Sequence, residues 1–299
     1  MTVLVLGSAN LDLVYEVERI PAPGETVLSL GFGSFAGGKG NNQAVAASRA
    51  GADTRFVTAL GADASGDRLA AEARDAGITL LDRRVDAPTG TAAIFVDRRG
   101  ENSIVVESGA NALLTDLTAA ERDAIADADV LVLQLETPVP TVAAAVAAAK
   151  AAGTRVVLNA APSGDVPLDV LSDVDVLVVN EHEAADLAGP GDAVGFLTAR
   201  GCAVIVTLGA EGALVGVPGE DPVRVPSYKV NAVDTTGAGD TFVGAFAAAL
   251  DGAGGAVGLE ALVAATGFAT AAAALAVQRK GAVPSIPTLE EVREFRDAR

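Results

Sequence analysis

Two carboxylates six residues apart, Asp234 and Asp240, bracket a glycine loop in the run V-D-T-T-G-A-G-D-T-F from Val233 to Phe242. Gly237 and Gly239 permit positive φ, so the N–H groups of Gly237, Ala238 and Gly239 can converge in one concavity with a helix dipole behind them. Phe242, Ala245, Phe246, Ala249 and Leu250 recur at helical spacing, which places the start of that helix at about Asp240. Such a loop seats an anion. A carboxylate at its mouth repels a phosphate unless it accepts a proton from the group attacking that phosphate, so Asp240 reads as a general base or, more plainly, as an N-cap. A cap alone explains neither the glycines nor Asp234.

A second glycine stretch, G-G-K-G-N-N-Q-A from Gly37 to Ala44, lets backbone approach a small polyol while the Asn42 amide offers hydroxyls both a donor and an acceptor. Two familiar motifs nearly match here and fail. Gly33 to Lys39 fits G-x-x-x-x-G-K, but Gly40 follows where a P-loop needs the Ser or Thr hydroxyl that holds Mg²⁺. Gly31 to Ala36 fits G-x-G-x-x-A, yet the helix begins several residues later and Asp53 precedes its strand instead of ending one. An NAD(P)-binding oxidoreductase is nonetheless the rival from another class, and a non-catalytic sugar-binding module the third reading. Upstream, Asn10 and Asp12 follow the strand-like run Val3 to Gly7, where ligands gather in open α/β sheets, although both residue types also favour turns.

The run D-T-T-G-A-G-D-T-F resembles the C-terminal signature of the ribokinase-like family of carbohydrate kinases, and G-G-K-G-N-N-Q-A resembles the N-terminal signature of its ribokinase branch. Further matches from Gly7 to Ser285 extend the resemblance over nearly the whole chain. It implies an α/β fold, a ribokinase-like three-layer α/β/α arrangement with a mostly parallel central sheet and a small β-sheet lid. It also implies a single kinase domain over residues 1–299, with lid segments at about 13–35 and 91–107 that close on the sugar and supply a homodimer contact.

The implied activity is ATP-dependent phosphorylation of a small sugar, with ribose and its primary 5-hydroxyl as first choice. The L-N-A-A-P-S stretch at Leu158 to Ser163 favours this branch over fructokinases, nucleoside kinases and ketodeoxygluconate kinases, with Ala160 where members often carry proline. By the same resemblance Asp240 is the base, and Gly237, Ala238 and Gly239 hold charge developing on the γ-phosphoryl. Asn10, Asp12, Gly38, Lys39, Gly40, Asn42 and Glu136 join Asp240 around the sugar; for Lys39 a solvated side chain is the plain alternative. Asn180, Thr207, Leu208, Gly209, Ala210, Glu211, Gly212 and Thr270, with Gly239 and Asp240, line the nucleotide. Asn180 and Glu183 flank Mg²⁺ through its water shell, with an N-cap as the plain reading of Asn180. Asp234 and Thr236 form half of a monovalent cation site for K⁺ or a similar ion, completed by Ala276, Arg279, Gly281 and Ser285.

Positioning these residues requires alternating strands and helices. The sequence predicts strands at Arg55–Leu60, Val130–Leu135, Arg155–Asn159, Val174–Asn180 and Ala203–Leu208, with Glu136 closing the V-L-V-L-Q-L-E run. Helices are expected at Asn41–Gly51, Ser65–Ala76, Asp116–Ala126, Val139–Ala151, from Glu181, near Ala193–Arg200 and at Leu289–Phe295. Thr91–Val96 and Ser103–Glu107 read as a hairpin, as do Gly212–Val217 and Pro222–Pro226. Apolar strands in such alternation imply a mostly parallel sheet covered on both faces.

A chain of 299 residues with 50% hydrophobic content can bury a large core. Its formal charge of −18 argues against nucleic acid or an anionic membrane as partner and means that ATP phosphates need local compensation. One cysteine, Cys202, rules out an internal disulfide and reads as a core residue, and the only histidine, His182, is assigned no role. No signal peptide is expected and a cytoplasmic location is the default. The alanine-rich stretch Leu259–Val277 contains Glu260, Thr266, Gly267 and Thr270 and reads as a core helix rather than a membrane span.

Overall fold

The computed structural model describes residues 1–164, 166–250 and 258–299. The chain opens with β1 (Thr2–Leu6), β2 (Asn10–Glu16), β3 (Gly31–Gly37), α1 (Lys39–Arg49), β4 (Asp53–Gly61), α2 (Ala64–Asp75), β5 (Thr79–Val85), β6 (Gly90–Val96) and β7 (Asn102–Glu107). It continues through α3 (Ala119–Ala126), β8 (Val130–Leu133), α4 (Val139–Ala152), β9 (Arg155–Asn159), α5 (Leu168–Leu171), β10 (Val176–Asn180), α6 (Glu181–Ala188), α7 (Ala193–Thr198) and β11 (Ala203–Thr207). β12 (Ala213–Gly216), β13 (Val223–Val225), α8 (Ala238–Ala249), α9 (Leu259–Ala276) and α10 (Leu289–Asp297) complete it.

Among the described residues nine strands form one sheet in the order β13-β12-β11-β10-β9-β8-β1-β4-β5. The seven from β11 to β5 run parallel, and β12 and β13 extend the edge antiparallel. The short V-L-V-L runs are apolar at every position because both faces are covered. Successive residues divide between two cores: Val3, Val5, Val130 and Val132 pack with α1, α8 and α9, while Leu4, Leu6, Leu131 and Leu133 pack with α4 and α7. Each such side chain contributes about 1.5–3 kcal/mol when fully buried. These are the three layers expected. Helix α9 is long and apolar enough to cross a membrane, but it buries Leu262, Ala265, Ala269 and Ala272 in the first core.

A second sheet of four strands, in the order β3-β2-β6-β7, stands apart from the first. Here Asn10 and Asp12 lie within β2, paired to β3 on one side and β6 on the other, so the turn reading of these residues is replaced by a strand. Other boundaries also move. Helix α1 begins at Lys39 rather than Asn41, β4 starts at Asp53 itself, and β8 ends at Leu133, leaving Glu136 beyond the strand. Strand β5, an edge strand whose polar residues mask its alternation, had no signal in the sequence.

The contact that aligns the site is the crossing of α1 and α8. A Cβ on Gly244 would overlap the Gln43 carbonyl and lie 2.6 Å from the Ala46 methyl, so only glycine lets the two backbones approach this closely. That approach sets Asn42 and Gln43 of α1 against the first turn of α8.

Candidate active site

Helix α8 begins at Ala238, with Gly237 as its N-cap in the left-handed region at φ 72°, where a Cβ would also meet the Ala282 backbone at 2.9 Å. Asp240 therefore lies inside the first turn and caps nothing. Its Oδ2 accepts from Asn42 Nδ2 at 3.0 Å and its Oδ1 from Gln43 Nε2 at 3.0 Å, and the residue is only 7% exposed. The N-cap reading of Asp240 is thus corrected: the carboxylate is aimed sideways at α1. Of the three loop amides, Ala238 N–H donates to the Thr235 carbonyl at 3.2 Å, while those of Gly237 and Gly239 have no acceptor among the described residues. Gly239 faces open space.

Around this carboxylate the start of α1 meets the end of β1. Gly40 makes this possible, since a Cβ there would lie 2.6 Å from Ser8 N. Glu136 Oε2 accepts from Ser8 Oγ at 2.6 Å and from Lys39 N–H at 2.9 Å. Asn10 Oδ1 accepts from Asn111 Nδ2 at 2.7 Å, and Asn111 is tied in turn to the Ala9 backbone. The Asp12 carboxylate lies over Gly37, where any side chain would displace it. Burial pushes the Asp12 carboxyl up to about 7, and the charges of Glu136 and then Asp240 push the same way. The Lys39 ammonium pKa is raised as well, by Asp240 foremost and then Glu136 and Glu183, against the effect of burial. Lys39 is half-buried beside these carboxylates, not a freely solvated lysine.

The residues expected to line the nucleotide are arranged differently. Thr207 ends β11, and Leu208 leads into a single exposed 3-10 turn, Gly209–Glu211, closed when Leu208 N–H donates to the Gly212 carbonyl at 2.8 Å. Asn180 and Glu183 form a reciprocal capping box: Glu183 N–H donates to Asn180 Oδ1 and Asn180 N–H to Glu183 Oε2, both at 2.8 Å. Asn180 is therefore an N-cap, and the buried Glu183 keeps one oxygen outside the box. Among the described residues no three His, Cys, Asp or Glu side chains cluster to enclose a metal. That donor set suits Mg²⁺ held through its waters and the phosphates rather than by a protein cage. The Thr270 hydroxyl donates to the Thr266 carbonyl at 2.8 Å within α9, which commits its proton and leaves its oxygen as an acceptor.

The two halves of the expected cation site do come together. Asp234 Oδ2 accepts from Gly281 N–H at 2.8 Å and Oδ1 from Thr236 N–H at 2.9 Å, while the Val277 carbonyl accepts from Val233 and Asp234. Although burial opposes it, these hydrogen bonds and Lys280 hold the Asp234 carboxyl below its usual range. Ser285 donates to the Ala282 carbonyl at 2.7 Å, Arg279 N–H donates to the Ala276 carbonyl at 3.0 Å, and the Arg279 side chain turns away to Glu291. His182 is exposed. Cys202 is fully buried, its thiol pushed up to about 11 by that burial, as befits a packed residue.

Sequence reasoning missed Gln43, Gln134, Asn159, Ser8 and Asn111. One signal was present: Gln134 interrupts the apolar run V-L-V-L-Q-L.

The model of the pfkB family of carbohydrate kinases matches residues 2–289. The chain belongs to that family. The Staphylococcus aureus ribokinase is 40% identical, covering 98% of both chains. The ribokinase structure of Thermotoga maritima superimposes with a TM-score of 0.90 at 36% identity, covering 99% of each chain. That of Arabidopsis thaliana, complexed with ribose and ATP, gives 0.87 at 34% identity, covering 98% of this chain and 97% of its own. As a pfkB carbohydrate kinase the chain is a phosphotransferase, and the oxidoreductase and non-catalytic binding readings are set aside. Asp53, which the former needed at a strand end, is the exposed first residue of β4.

Proposed function

We propose that this pfkB-family kinase transfers the γ-phosphoryl group of ATP to the 5-hydroxyl of D-ribose, with Asp240 as base. The observation that carries the reading is the Asp240 carboxylate, held by Asn42 and Gln43 and adjoining the open amides of Gly237 and Gly239. The substrate hydroxyl gives its proton to Asp240 as it attacks, and the loop amides receive the charge developing on the phosphoryl oxygens. Asn10, Asp12, Lys39, Asn42 and Glu136, with backbone at Gly38 and Gly40, hold the sugar hydroxyls.

The exposed turn at Thr207–Gly212, together with Asn180, supports the nucleotide. Mg²⁺, when bound with ATP, neutralises phosphate charge, and Glu183 with Asn180 would hold its water shell. K⁺ or a similar ion would sit between the Asp234–Thr236 and Ala276–Ser285 loops, mostly on carbonyl oxygens. The four-stranded sheet acts as the lid. By register Asp12 shares its face with Phe35, Ile104 and Val106, each 43–50% exposed, and these apolar side chains support a homodimer formed through the lid.

An ADP-release assay with ribose, deoxyribose, fructose, ketodeoxygluconate and adenosine tests the assignment. Ribose should give the highest kcat/KM. A higher value for any other acceptor moves the substrate, and release with none of them removes the sugar-kinase reading.

A further inference from the structure

We propose that Gln43 is a positioning residue for the phosphoryl-transfer step, holding the plane of the Asp240 carboxylate without touching sugar or ATP. The inference rests on the reading of Asp240 as base. Gln43 is wholly buried on α1. Its Nε2 donates to Asp240 Oδ1 and to Asn159 Oδ1, both at 3.0 Å, and its Oε1 accepts from Gln134 Nε2 at 2.7 Å. Both N–H groups and the carbonyl are thus engaged, which fixes the direction of the amide. Turning it over would set its oxygen against two oxygens and its NH₂ against that of Gln134.

The carboxylate needs such an anchor because the terminal torsion of an aspartate is broad, and one hydrogen bond leaves the plane free to swing. Asn42 supplies the other bond, at Oδ2, but Asn42 is also read as a sugar contact, and its Oδ1 has no partner among the described residues. Gln43 has no such second task. Behind it stand Gln134, just past β8, and Asn159, at the end of β9, whose Nδ2 donates to the Val178 carbonyl at 3.1 Å. Gln43 on α1 therefore links one carboxylate oxygen of α8 to the residue after β8 and to the end of β9. Inside the protein such linked hydrogen bonds reinforce one another.

Gln43→Met keeps the length and removes both donors and the acceptor. The expected result is a folded enzyme whose kcat falls about 10- to 100-fold while KM for ribose and for ATP stays within about twofold, because the reacting geometry is disturbed and the binding contacts are not. Gln134→Met leaves the Gln43–Asp240 bond and removes the support behind it; kcat should fall by a smaller factor, again without change in KM. In the double variant Gln43→Met/Asp240→Asn the losses should not multiply, since Gln43 acts only through Asp240. If Gln43→Met does not fold, Gln134→Met decides alone. Wild-type kcat per folded molecule, or a loss that appears only in KM, overturns the proposal, as do fully multiplicative losses. Asp240→Asn with near-normal turnover instead removes the base, whatever Gln43 does, so the two failures are told apart.

Discussion

The proposed sugar side and the proposed nucleotide side of the site are built from opposite materials. On the proposed sugar side, side-chain hydrogen bonds join Asn42 and Gln43 to Asp240, Ser8 to Glu136 and Asn111 to Asn10, all buried except the half-buried Ser8–Glu136 bond. On the proposed nucleotide side, the Gly209–Glu211 turn is exposed, the Gly237–Gly239 loop is half-buried to exposed, and both offer mainly backbone. Discriminating one polyol from another takes donors and acceptors at fixed places, which buried side chains locked by neighbours provide. A triphosphate is recognised by charge and shape, for which loop amides and a helix N-terminus suffice. The difference should make the proposed sugar side sensitive to single substitutions and the nucleotide side tolerant of them.

The strongest test of that contrast is Asp240→Asn, which should lower kcat by about 10² to 10⁴ while ATP still binds. The fold should survive, because Asp240 is no cap and Asn42 can turn its unpartnered Oδ1 toward the new amide. Near-normal kcat at wild-type thermal stability would remove the base and with it the reason for the buried network.

Asp12→Asn comes next and separates function from stability. With its carboxyl raised to about 7 in the fold and near 3.8 when unfolded, Asp12 binds more protons folded than unfolded between those values. Its contribution to stability is therefore full below about pH 4 and is lost as the pH rises through about 7. The variant should lose roughly 10- to 100-fold in kcat/KM for ribose, yet above pH 7 its thermal midpoint should exceed that of the wild type by about 2–4 °C. Thermal scans at pH 4.5 and 8 check this; an equal difference between variant and wild type at both values would refute the assignment.

On the nucleotide side effects should be smaller. Titrating KCl against a bulky organic cation at constant ionic strength should raise kcat/KM about fivefold or more, by ordering the Gly237–Gly239 loop through Asp234 and Thr236. Equal rates in both salts would remove the cation site. Asn180→Asp should be mildest, since aspartate caps a helix as well as asparagine does. Unchanged stability with an altered Mg²⁺ dependence would show a role beyond the cap; no change in either would leave Asn180 as a cap alone.

Much of this was legible in the chain. The V-L-V-L runs and their alternation with helical segments determine a parallel sheet buried on both faces, because apolar periodicity is a local property. The glycine signature and its two aspartates were equally readable, since an anion loop is made by neighbours in sequence. What only the tertiary structure decided are contacts between distant segments. Asp240 carried both a base and a helix-cap reading, and the cap fell away only when the close crossing at Gly244 set α1 beside it. Gln134 showed only as a break in an apolar run, Gln43 and Asn159 were assigned no role, and Asn10 and Asp12 also allowed a turn, until strand pairing and helix packing brought these residues together. Local pattern decides which faces are buried. Which polar groups meet inside depends on packing across about 100 to 200 residues of chain, as between Gln43 and Gln134 or Asn42 and Asp240, and no spacing rule encodes it.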